Sequence, residues 1–99
     1  MAHFAEIDTN NNVINVIVIN DEDLLNDKGI ADETLGVTLC HQLVASSINN
    51  RWVQTSYSGS FRGNFGSIGM EYDETLDIFR EHMPLIDWTW VDGAWKAPD

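Results

Sequence analysis

Cys40 and His41 are the chain's one thiol–imidazole neighbour pair, the natural starting point for nucleophilic chemistry. Adjacent residues on a helix point about 100° apart, so these two cannot activate one another there. Cys40 falls in an apolar stripe with Leu35, Leu39, Leu43 and Val44, and a buried cysteine behaves as a small hydrophobe. The expected thiol is a core group, with His41 on the surface. His3, His41 and His82 stand far apart without the close Cys/His spacing of a zinc site. Asp8-Thr9-Asn10-Asn11-Asn12 matches the opening of a calcium loop. Val13 then stands where the sharp turn needs glycine, and Ile19 where a bidentate glutamate is needed. A turn between two strands accounts for the same residues. Gly59-Ser60 and Gly66-Ser67 lack the nucleophile elbow of a serine hydrolase, and the glycines of 63–69 lead into no phosphate-binding pattern. No enzyme, metal or cofactor is expected.

Aromatic density is the remaining signal. Nine of the ten aromatics lie in the second half of the chain, and Trp88, Trp90 and Trp95 crowd one short segment. Trp, Tyr and Arg dominate the energetics of protein interfaces. The expected partner-binding surface is therefore Trp88, Trp90 and Trp95, with Tyr57 and Arg62. Core and cross-strand packing would use the same rings.

These groups need elements to position them. Phe4 to Asp8 alternates, Thr9 to Asn12 supplies turn chemistry, and Val13 to Ile19 is a β-branched run, together a hairpin. The second strand is apolar on both sides, which places it mid-sheet. Asn20 reads as a cap for the acids Asp21-Glu22-Asp23, and Gly29 ends that short turn. Asp32 caps the one main helix, near 32–47, which Gly36 weakens by about 1 kcal/mol. Arg51 to Tyr57 reads as a strand, 58–60 as a turn, and 61–66 as irregular chain. Ile68 to Tyr72 and Leu76 to Phe79 form a second hairpin. Asp92-Gly93 between alternating apolar residues is a type I′ signal that pairs Val91 with Ala94 and Trp90 with Trp95. The expected fold is one α+β domain over 1–99, a small, mostly antiparallel sheet of five to seven strands packed on one main helix.

Composition bounds the rest. The 99 residues hold 16 acids and 5 bases, a net charge of −11, with 43% hydrophobic residues. That is core enough for a globular domain and the wrong charge for binding nucleic acid directly. One cysteine excludes an internal disulfide. Neither a membrane span nor a secretory leader is expected, because the longest apolar run is Val16 to Ile19.

The stretch W-V-Q-T-S-Y-S-G-S-F-R-G-N-F-G-S-I-G-M-E-Y-D-E-T-L-D-I-F, followed by W-x-W and W-K-A-P, resembles a family of short uncharacterised tailed-phage proteins of the marine cyanophage type. The opening H-F-A-E-I-D and the later V-I-V-I fit the same family. Relatives carry a Pro-rich loop where this chain reads Arg80 to Ile86. The Tyr72-Asp73, Asp77, Phe79, Trp88, Trp95 rhythm is also similar to phage tail-fibre and tail-assembly accessory proteins. The resemblance implies a phage accessory or virion-associated protein that acts by binding protein, in the host cytoplasm during infection or in the virion. It carries no catalytic assignment. Net acidity leaves an alternative, a host-takeover inhibitor that mimics nucleic acid and occupies a host enzyme. A homodimer through the Trp hairpin, strengthened by salt, is also expected.

Overall fold

Asp8 determines where the first strand turns back. In the computed structural model, which describes residues 1–45 and 48–99, its Oδ1 accepts the backbone N–H groups of Asn10 and Asn12, each at 2.9 Å. Asn11 takes the left-handed φ of 64° that the turn demands, as asparagine does readily. Strand β1 (Ala2–Ile7) thereby returns as β2 (Val13–Ile19), antiparallel, with Phe4 opposite Ile17 and a bulge between Glu6 and Ile7. The calcium-like residues are thus the turn of a hairpin.

Strand β3 (Arg51–Thr55) pairs antiparallel with the other side of β1, giving the order β2-β1-β3. This corrects the expectation for β2: the central strand is β1, and β2 lies at an edge. An apolar residue on each side reports cover on the two faces of a sheet, not neighbours along its hydrogen-bonding edges. Both faces are indeed covered. Ala2, Phe4, Ile19 and Trp52 meet Leu24 and Cys40 on one, while Ala5, Ile7 and Val13 meet Tyr72 and Phe79 on the other.

A 3₁₀ turn (Asp21–Leu24) and the helix α1 (Glu33–Leu43) supply the first cover. Asp32 caps α1 by accepting the Thr34 N–H at 2.9 Å, as its position predicts. The Asn20 side chain makes no cap hydrogen bond, and Gly29 belongs to a separate turn pinned by Asn26. The helix ends at Leu43, with the Val44 N–H on the Cys40 carbonyl at 3.0 Å, four residues short of the expected end. Ser46 and Ser47 lie outside the described residues. Gly36 and Cys40 face the sheet with Val37, Leu39 and Val44 beside them, and Leu35 and Leu43 are exposed. The helix therefore turns its small residues inward, where it meets the ring of Phe4.

The second cover is the hairpin of β4 (Glu71–Asp73) and β5 (Ile78–Arg80) with the irregular chain before it. The last hairpin is β6 (Thr89–Val91) and β7 (Ala94–Lys96), in the register its sequence predicts, with Trp90 opposite Trp95. Asp92 and Gly93 have φ of 51° and 79°, both left-handed as a type I′ turn requires. The fold is α+β: among the described residues, one main helix and seven strands in three small antiparallel sheets. Its radius of gyration is 14.7 Å, where a compact chain of this length has about 13 Å, and its extents are 52 × 27 × 18 Å.

Candidate functional site

Arg80, at the end of β5, lies opposite Glu71 and is held there by carboxylates. Its Nε donates to Glu71 Oε1 at 3.0 Å and its Nη2 reaches Asp73 Oδ2 at 2.8 Å. The guanidinium lies over two indoles, 4.5 Å from the ring centroid of Trp95 and 5.0 Å from that of Trp90. The indoles meet edge to face at 5.2 Å, and Trp95 Nε1 donates to the Glu81 carbonyl at 2.8 Å. A partly desolvated cation over an aromatic ring contributes about 0.5–2 kcal/mol. Trp90 and Trp95 thus fasten the last hairpin to β4–β5 and are half-buried, as is Trp88. Exposed apolar side chains in β6 and in the segment before it are Met83, Leu85, Ile86 and Val91, with Ile86 84% exposed. Sequence reasoning passed over these residues because Met83 to Ile86 show neither strand nor helix periodicity.

The other two expected surface residues stand in separate assemblies. Tyr57, 73% exposed, packs against His3 and Phe65 with ring centroids 5.3 and 5.2 Å away. His3 and Tyr57 also line a cleft of about 400 Å³, with Met1, Asp21, Ser58 and Phe61. Arg62 is committed inside the protein. It clasps Glu33 with two bonds of 2.7 and 3.1 Å, donates to the Gln54 carbonyl at 2.9 Å and bonds Asp77 at 2.9 Å. The clasp joins α1, β3 and the β4–β5 loop. Glu33 raises the Arg62 guanidinium further above its ordinary range, by hydrogen bonding before charge. The Tyr72 hydroxyl donates to Asp77 and, with Arg62, holds that carboxyl below the ordinary carboxylate value. Burial, with the Asp77 bond second, pushes Tyr72 up to about 12.

Cys40 is fully buried, and burial pushes its thiol up to about 11. No thiolate stands ready at neutral pH, and His41 is exposed on the helix as expected. Among the described residues no three His, Cys, Asp or Glu side chains gather as a metal site, and no helix is long and apolar enough to cross a membrane. Comparison with family models, with curated proteins and with solved structures yields no match in any of the three.

Proposed function

We propose that the chain is a non-catalytic protein-binding module, an accessory or virion-associated protein of a tailed phage, and that it docks through β6–β7 and segment 81–88. The observation that carries the reading is the set of exposed apolar side chains Met83, Leu85, Ile86 and Val91, in and just before a hairpin whose two tryptophans are locked over Arg80. Exposed apolar side chains next to a pre-ordered hairpin suit an interface, because the hairpin leaves little ordering cost for the moment of binding. The phage setting rests on the resemblance carried by Trp52 to Phe79, Trp88 and Trp95.

The nucleic-acid-mimic alternative has less to draw on. Glu33, Asp77, Glu71, Asp73 and Glu74 are paired with arginines, and Glu6 is buried with Asn50 on its carboxylate. Those six do not serve as a phosphate-like row.

Mass spectrometry of purified particles of the encoding phage tests the reading, with Leu85→Glu and Ile86→Glu chains in parallel. The wild-type chain is expected in particles, and both variants are expected to fold and to be lost from them. Absence of the wild-type chain would move its role into the host cytoplasm. Undiminished incorporation of both variants would overturn the docking surface.

A further inference from the structure

The two edges of the β2-β1-β3 sheet are finished differently. On β3, the Gln54 N–H donates to Glu33 Oε2 at 2.8 Å, the Gln54 carbonyl accepts from Arg62 at 2.9 Å, and Thr55 Oγ1 accepts the Gly66 N–H at 2.7 Å. That edge is covered. On β2, only the first residue is covered: Val13 exchanges bonds with Met70 and Gly69 at 2.8 and 2.9 Å. From Ile14 to Ile19, among the described residues, nothing bonds the side of the strand away from β1.

An open edge is usually blunted by lysine, proline or a bulge aimed outward. Ile14-Asn15-Val16-Ile17-Val18-Ile19 has no charge and no proline, and its one bulge residue is Ile14, at the start of the run opposite the Glu6/Ile7 step. Thr9 to Asn20 carries no charged side chain, in a sequence with 16 acids. Ile14 and Val18, each 44% exposed, leave apolar surface on this strand.

We propose that β2 is the seam of a two-fold homodimer, in which β2 pairs antiparallel with β2 of a second copy to make one continuous six-stranded sheet. The occupant follows from charge and symmetry. Two copies of net charge −11 repel, so they meet best where neither carries charge, and the Ile14–Ile19 edge carries none. An antiparallel strand pair is self-complementary about a two-fold axis, the commonest symmetry of soluble oligomers. Centring the axis on Val16 sets Ile14 of each copy against Val18 of the other, covering both exposed residues at once. The same register brings the acidic turn Asp21–Leu24 of one copy toward the Asn10–Asn12 turn of the other, where Arg51 bonds the Asn11 side chain. The Gly69–Met70 segment over Val13 sets the ends of the ladder, so it is short and the association concentration-dependent.

Sedimentation velocity from low micromolar to near-millimolar protein tests the seam, with circular dichroism melts to verify each fold. The wild type is expected to dimerise, more tightly at higher salt. Ile14→Lys and Val18→Glu should each weaken the dimer at least about tenfold. The double variant Ile14→Lys/Val18→Glu should restore it, because each lysine then faces a glutamate of the other copy. A monomer at every concentration would overturn the second copy as occupant and leave the edge to another protein's strand. A dimer indifferent to Ile14→Lys and Val18→Glu would overturn the seam and return it to the Trp hairpin. Two weakened single variants without recovery in the double would overturn the register.

Discussion

Gly36 of α1 and Phe4 of β1 touch with no space between them: a β-carbon on Gly36 would lie 2.1 Å from Phe4 Cζ and 2.8 Å from Leu24 Cδ2. Phe4 is fully buried beneath the helix, so it has nowhere to go. Helix propensity alone gives Gly36→Ala a gain of about 1 kcal/mol. The contact opposes it, since overpacking a filled core costs about 1–3 kcal/mol. The variant is expected to be the less stable protein in urea titration. A raised midpoint would show that helix and sheet separate easily.

What the sequence made legible were the local features. Asp92-Gly93 set the last hairpin and its register, and Asp32 set the start of α1, because each acts on residues within a few positions of itself. Gly36 read as a weak point in a helix, since its partner Phe4 is remote in the chain and only packing brings them together. The placing of β2 failed for a similar reason: the side-chain pattern of Val13 to Ile19 records the cover on two faces and is silent about edges. In the candidate site, Trp90 and Trp95 were foreseen as a pair, but not the cation beneath them. A signal existed, because Arg80 closes an apolar strand in a region where Glu71 and Asp73 are its natural hairpin neighbours. Tyr57 and Arg62 were grouped with the tryptophans by residue type alone, and the fold distributes them elsewhere.

The Tyr72–Asp77–Arg62 assembly makes stability depend on pH at both ends of the scale. Asp77 has a folded value lowered from 3.8, so its contribution is full above that value and is lost as pH falls below it. Tyr72 has a folded value raised from 10.0 to about 12, so its contribution is full below pH 10 and is lost as pH rises toward 12. Tyr72→Phe should therefore be less stable than wild type at neutral pH, and the gap should close above pH 10 with a slope of up to about 1.4 kcal/mol per unit. Asp77→Asn should likewise lose its deficit below pH 3.8. Urea titrations across pH measure both gaps. Gaps that stay constant with pH would mean the assembly is open to water.

The thiol of Cys40 gives a last prediction, about opening of the core. It is fully buried among Phe4, Leu24 and Trp52, with its value raised from 9.0 to about 11 by burial. At pH 8 that difference alone leaves about a hundredfold less thiolate than in the unfolded chain, and the packed side chains bar the reagent as well. Labelling by an aromatic disulfide at pH 8 should be at least about a hundredfold slower in buffer than in denaturing urea. The rate should climb with urea in step with unfolding. Because the folded value is the higher one, the thiol's contribution to stability is full below pH 9.0 and is lost as pH rises toward about 11. Alkaline buffer should thus speed labelling beyond the ordinary gain in thiolate. Native labelling at the unfolded rate would place Cys40 at the surface and make it a reactive group.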